Sequence, residues 1–302
     1  MTAAAGATGT ARADEAPAPP RVPGTPDGRK VFLRHCAPCH GERGDGMGRA
    51  APWLAVRPRD FTAGVYRFRT TNSGTPPTDD DLVRTIKRGI PGTPMPSWDR
   101  ILSDDEIRAV IKVLRSLAPA ELAAAPPPSE VLAVPKAPAE AAMSAARGRN
   151  VFLLMGCFNC HGVRGAGDGK AVLQDDKGNP IRALDFTKGY LKGGGRPEDV
   201  YRTLLTGLDG SPMPSFKDAL VLVKDSYQDL SGVAPVVSAG ELKEVEAYVA
   251  TLPTQAAFDA LSDADREKLQ ASWRWDLVAY VRSLGQRNAV AKWLFDAPYT
   301  TK

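Results

Sequence analysis

The chain has 302 residues, of which 43% are hydrophobic, and its 39 basic and 35 acidic side chains leave a formal charge of +4. The length fits about two domains at roughly 150 residues each, the apolar fraction is enough for packed cores and so excludes a disordered chain, and the near-balanced charge without a long basic block excludes a nucleic-acid-binding arm. No apolar run approaches the roughly 20 residues that span a bilayer, so no transmembrane segment is expected.

Residues 1–26 are rich in Ala, Gly and Pro without a hydrophobic period, and they are expected to be disordered. Ala11-Arg12-Ala13 ahead of Asp14-Glu15 has the small-residue pattern of a signal-peptidase site. The stretch before it lacks a basic start and a full apolar core, so it reads as the remnant of a truncated export signal. In the segment 27–117, Thr78 with Asp81 caps a helix that ends at Gly89. Ser103 with Glu106 forms a capping box ahead of Ile107, Val110, Ile111 and Leu114 on one helical face. Residues 118–145, with Pro126-Pro127-Pro128, have the composition of an extended, semi-rigid linker. Beyond it, in 146–302, Pro197 opens a helix that runs up to Gly207, and a long one starts near Ser262 and carries Leu269, Trp273, Leu277, Tyr280 and Val281. No stretch alternates in the manner of a strand, so the chain is expected to be all-α with almost no sheet.

The segments 27–117 and 146–302 are repeats of one another. Gly28-Arg29-Lys30-Val31-Phe32-Leu33 matches Gly148-Arg149-Asn150-Val151-Phe152-Leu153, and Asp60-Phe61-Thr62 matches Asp185-Phe186-Thr187. Gly92-Thr93-Pro94-Met95-Pro96-Ser97-Trp98 matches Gly210-Ser211-Pro212-Met213-Pro214-Ser215-Phe216, and Arg115-Ser116-Leu117 matches Arg282-Ser283-Leu284. The second repeat carries an insertion at about 217–265 whose role the sequence does not reveal. A helix at 241–252, through Leu242, Val245 and Val249, competes for the closing position, but Arg282-Ser283-Leu284 favours the later one.

All four cysteines of the chain and two of its three histidines fall in two clusters, Cys36-Ala37-Pro38-Cys39-His40 and Cys157-Phe158-Asn159-Cys160-His161. C-x-x-C-H is the attachment signature of c-type haem. Two thiols at that spacing can add across the two vinyl groups on one porphyrin edge, which holds the adjacent histidine beneath the iron. Zinc binding, a redox-active dithiol and structural disulfides compete with this reading. Zinc would need further ligands, of which His35 is the one extra candidate, and a redox dithiol favours alternating strands and helices. Disulfides explain neither the histidines nor the repeat. If His40 and His161 are proximal ligands, methionine is the natural sixth ligand, because His35 is tied to the proximal edge by Cys36. Met95 and Met213 each lie in a Gly-x-Pro-Met-Pro loop that prolines stiffen. Met47, Met143, Met155 and Met1 lack that context, and the competing role for any methionine is core filling.

On these motifs, and on the Cys-His-Gly-x-x-Gly-x-Gly loops beginning Gly41 and Gly162, the chain resembles a dihaem cytochrome c built from two class I cytochrome c modules. The resemblance implies tandem helical domains, each wrapped around one covalent haem c. An early helix would cross the closing helix through Gly28 and Phe32 in the first module and Gly148 and Phe152 in the second. Two haems c would be attached at Cys36, Cys39, Cys157 and Cys160 and ligated by His40 with Met95 and His161 with Met213. Arg57, Arg59 and Arg182 are candidate contacts for haem propionates, against the plainer reading of solvated surface arginines. With both axial positions filled, the expected role is an electron carrier or relay between redox partner proteins. A dihaem enzyme of peroxidase type is the alternative, but it needs an open iron and more histidines, and a thiosulfate-oxidising type needs a spare cysteine. A third reading, as a subunit of a larger respiratory complex, draws on the insertion and on Trp293, Phe295 and Tyr299 in the tail. Covalent haem attachment follows export in bacteria, so a periplasmic location is expected.

Overall fold

The computed structural model describes residues 26–286, so the expectations for the N-terminal segment, for Ala11-Arg12-Ala13 and for Trp293, Phe295 and Tyr299 lie outside the described residues. Within them the chain is all-α. In chain order the helices are α1 (Gly28–His35), α2 (Ala37–His40), α3 (Asp79–Arg88), α4 (Asp104–Leu117), α5 (Ala120–Ala123), α6 (Ala145–Leu154), α7 (Phe158–His161), α8 (Pro197–Thr206), α9 (Ala239–Ala250), α10 (Gln255–Asp259) and α11 (Asp263–Gln286). One hairpin, β1 (Leu173–Gln174) with β2 (Pro180–Ile181), pairs antiparallel. None of the described helices is long and apolar enough to cross a membrane.

Local chemistry sets the helix ends. Thr78 and Asp81 form a reciprocal capping box on α3, and Ser103 and Glu106 form one on α4. Acidic first turns on both, with Lys87, Arg88 and Arg115 in the last turns, suit the helix dipole. Along α4, Ile107, Val110, Ile111 and Leu114 are buried at the spacing of one helical face.

The same crossing holds each repeat together. In the first, α1 passes over α4 so closely that a Cβ on Gly28 would sit 2.2 Å from the Ala109 carbonyl oxygen. In the second, α6 passes over α11, and a Cβ on Gly148 would sit 1.9 Å from the Asp276 carbonyl oxygen. Phe152 meets Tyr280 edge-on beside it, with ring centroids 5.3 Å apart. The closing helix is therefore the later one. Because backbone rather than a movable side chain fills the space at Gly148, Gly148→Val is expected to push α6 off α11. The expected destabilisation is about 1–3 kcal/mol or more, read as a lower denaturant midpoint at unchanged slope.

The insertion is part of the second repeat's core. Leu220, Leu222 and Val223 are fully buried in the same cluster as Tyr201, Trp275 and Leu277. Helix α9 lies against α6, with Val245 packed beside Leu153 and Val233 and with Glu241 accepting from Arg149 at 2.7 Å. This enclosure buries residues all round α11, including the consecutive run Trp273 to Val278.

The two repeats meet at a polar seam. Arg69, with its side chain fully buried, donates from one Nη to the Thr206 carbonyl at the end of α8 and to Asp209, both at 2.8 Å. Arg88, ending α3, donates to the carbonyls of Gly193 at 2.6 Å and Lys192 at 3.2 Å. Buried Asp81 and Asp199 occupy equivalent places on α3 and α8, each paired with the arginine three residues on, Arg84 and Arg202. The segment 118–145 runs beside this seam. Val131 bridges to Thr71, Leu132 donates to the Thr70 carbonyl at 2.7 Å, and Ala137 donates to Glu198 at 3.1 Å.

Candidate functional site

Each Cys-x-x-Cys-His cluster folds as one tight helical turn. The amide of His40 donates to the Cys36 carbonyl and that of His161 to the Cys157 carbonyl, both at 2.9 Å. Gly41 and Gly162 end these turns at φ values of 81° and 76°, which glycine adopts without strain. The chain then folds back, so that Gly46 donates to the His40 carbonyl and Gly167 to the His161 carbonyl, each at 2.8 Å.

The histidine rings are held alike. His40 Nδ1 lies 2.9 Å from the Arg59 carbonyl oxygen and His161 Nδ1 lies 3.2 Å from that of Leu184. A carbonyl only accepts, so Nδ1 carries the proton in each ring and Nε2 keeps a free lone pair. Phe61 and Phe186 stack on these rings, with centroids 4.6 Å and 4.4 Å away. Burial lowers both histidine pKa values, which favours the neutral, ligating form.

The competing uses of the cysteines fit poorly. None of the four is paired in a disulfide. Burial pushes the Cys36 thiol up to about 11 and that of Cys157 up to about 12, opposite to the lowered pKa of a redox-active dithiol. Among the described residues, no group of three or more His, Cys, Asp and Glu side chains is arranged to hold a bare metal ion.

The methionine loops are also built alike. Ile90 donates to the Met95 carbonyl at 3.1 Å and Leu208 to that of Met213 at 3.0 Å, closing each loop. Thr93 Oγ1 accepts from the Met95 amide at 3.2 Å and Ser211 Oγ from that of Met213 at 3.4 Å. The same hydroxyls donate to the Ile90 and Leu208 carbonyls. His35 takes a different place, with its ring edge-on to Trp98 at 5.4 Å.

One continuous cavity of about 1160 Å³ brings these parts together. Cys36, Cys39, His40 and Met95 line it, and so do Cys157, Cys160, His161 and Met213. Arg57, Arg59 and Arg182 line it too, with Arg57 and Arg182 exposed and Arg59 half-buried. Two cations escaped the sequence reading. Arg67 and Lys192 also line the cavity, at equal spacing after the repeated Asp60-Phe61-Thr62 and Asp185-Phe186-Thr187, and that spacing is the signal that marks them. Burial lowers the pKa of Arg59 and of Lys192, and the charge of Arg67 lowers both further. Arg67 Nε is buried without a hydrogen-bond partner.

This donor set suits haem c. Each repeat offers two cysteines three positions apart, an oriented imidazole Nε2 and a thioether at one cavity, and the cations lining it, Arg59, Arg67 and Lys192, suit the carboxylates of the macrocycle. The family model for cytochrome c oxidase, cbb3-type, subunit III matches residues 23–112. A chain of the Kuenenia stuttgartiensis reducing HAO-like protein complex Kustc0457/Kustc0458 is 35% identical in sequence, covers 86% of this chain and 96% of its own length, and superposes with a TM-score of 0.64. No curated protein matches.

Proposed function

Because this all-α chain belongs to the c-type cytochromes, proteins with covalently bound haem c, and its likeness supports a role in electron transfer, we propose that it carries two haems and relays electrons between redox partner proteins. In this reading 27–117 and 146–302 are two cytochrome c domains joined by the linker 118–145, the second containing the insertion at about 217–265. The single cavity shared by both cysteine clusters and both methionine loops carries the proposal. Its volume exceeds the roughly 300–1,000 Å³ of an ordinary single-ligand site, in keeping with two macrocycles side by side.

The residues divide the work as follows. Cys36 and Cys39, and Cys157 and Cys160, tether the macrocycles. His40 and His161 present Nε2 to the iron, since the Arg59 and Leu184 carbonyls hold the Nδ1 protons. Met95 and Met213 would hold the irons through their thioethers, presented from the closed loops that line the cavity. Arg59, Arg67 and Lys192 neutralise the carboxylates, with Arg57 and Arg182 at the exposed margin. Bound haem iron supplies one-electron chemistry, and thioether ligation raises its potential. The chain's part is to exclude water, as Leu82, Ile86, Val110 and Leu114 do along one wall of the cavity and Val200, Leu204 and Val281 along another.

A peroxidase would need a vacant axial position, yet the two methionine loops share one construction and His35 is engaged with Trp98. Similarity to a chain of a reducing HAO-like protein complex favours work as a haem subunit beside a second protein. Covalent attachment to reduced thiols follows export in bacteria, and this supports a periplasmic location in the same reading. The test is an optical spectrum with haem quantification on protein matured by a cytochrome c assembly system. Two covalent haems, the weak red band of methionine-bound ferric iron and no reaction with carbon monoxide are expected. A single haem, or a carbon monoxide-reactive one, overturns the relay.

A further inference from the structure

The two methionine loops are touched from across the seam. Gly92 opens the Met95 loop and Gly210, its repeat equivalent, opens the Met213 loop. Against Gly92 lies the ring of Tyr190 from the second repeat, so near that a Cβ on Gly92 would come within 2.1 Å of it. On Gly210 sits Arg67 from the first repeat, whose Nη2 donates to the Gly210 carbonyl at 3.2 Å. Tyr190 and Arg67 come from equivalent segments, those that follow the repeated Asp-Phe-Thr. The exchange is thus reciprocal, although one contact is aromatic packing and the other a charge-assisted hydrogen bond.

We propose that each methionine ligand is positioned by the opposite repeat, with Arg67 acting on Met213 and Tyr190 on Met95. This rests on the two-haem, histidine–methionine reading. The hydrogen bonds within each loop are local, running from residues 90 to 95 and from 208 to 213. Past the methionine each loop is tied back to the helix before it, Ser97 Oγ donating to the Lys87 carbonyl and Ser215 Oγ to the Leu205 carbonyl, both at 2.6 Å, which leaves the glycine end of each loop to be held from elsewhere. A thioether is a weak, neutral ligand, so small displacements of its loop cost it the iron. The seam supplies an anchor at that end, because Arg69 and Arg88 fix the repeats to each other beside these contacts. Arg67 joins the two sites most directly, since it lines the cavity and keeps its buried Nε for a cofactor carboxylate while Nη2 holds the loop. Arg67 and Tyr190 are positioning residues that act through the loops and touch neither iron.

The test uses full-length, haem-loaded protein in which one methionine at a time has been silenced. In a Met95→Leu background the red band reports Met213 alone. Adding Arg67→Leu there is expected to remove most of that band and to lower the reduction equilibrium of that haem at least tenfold, about 59 mV for one electron. In a Met213→Leu background, Tyr190→Ala is expected to do the same to the Met95 band. Tyr190→Phe keeps the band, because the ring rather than the hydroxyl meets Gly92. Haem content and helical circular dichroism serve as folding controls, and the Tyr190 pair decides the matter if Arg67→Leu fails them. A band that survives its trans substitution overturns the bracing and leaves the relay standing. Absence of any red band from the unsubstituted protein overturns the ligation reading and the bracing together.

Discussion

Met95→Ala and Met213→Ala are each expected to abolish about half of the red ferric band and to open one iron to carbon monoxide, without changing the number of attached haems. Attachment depends on the cysteines and the proximal histidines, which lie in or at the N-caps of α2 and α7 and are held by contacts that do not involve the methionine loops. Each loop also keeps its backbone closure and its Thr93 or Ser211 bonds when the thioether is lost, so the change is confined to the sixth position. The potential of the altered haem falls, because the ligand that raises it has gone. The double variant is expected to lose the band entirely and to bind two equivalents of carbon monoxide. If either single variant keeps the full band and stays inert to carbon monoxide, that methionine is not a ligand and the equivalence of the two repeats fails. Spectroelectrochemistry of the pair also separates the two potentials, since each variant displaces one of them.

Most of this site can be read from short stretches of sequence, because its geometry is local. A turn over five residues aims two thiols and an imidazole. A capping box spans four residues, and the hydrogen bond that closes each methionine loop spans six. Each is encoded by residues within a few positions of one another, and its appearance twice raises the signal above chance. What could not be read depends on partners far apart in the chain. Leu220 to Val223 reads as an apolar run in an insertion of unknown role, and only the fold shows it packed against Tyr201 and Trp275. Arg67 and Lys192 sit on opposite sides of a seam that the linker composition does not reveal. Two arginines expected at the cavity, Arg57 and Arg182, do line it but remain exposed, whereas Arg69, which had no local motif to mark it, is wholly buried between the repeats.

Arg274 is the most consequential of these unmarked residues, and Arg274→Leu is expected to destabilise the protein by about 3–5 kcal/mol, as when one partner of a buried polar network is removed. The residue sits on α11 between Trp273 and Trp275 and is 0% exposed. Its Nε donates to the Phe216 carbonyl at 3.2 Å, one Nη to the Tyr201 hydroxyl at 3.2 Å and to Glu267 at 3.0 Å, and the other Nη to the Lys217 carbonyl. Removing the guanidinium leaves two carbonyls and a hydroxyl in a closed interior, each costing about 1–3 kcal/mol without a partner. Ile107 holds the equivalent place in the first repeat, where the chain runs on without an insertion and no such carbonyls need a donor. The arginine is thus the fastening of the insertion, applied where the chain leaves the Met213 loop at Phe216 and Lys217. Arg274→Lys keeps the charge but not the planar fork, so it is expected to recover only part of the loss. Chemical unfolding measures the stability, and the red band of Met213 in a Met95→Leu background reports whether the loop has moved with it. If Arg274→Leu keeps the native midpoint, the insertion is held by its apolar contacts alone, from Leu220 to Val223. If stability falls but the band stays, the fastening serves the fold and stops short of the ligand.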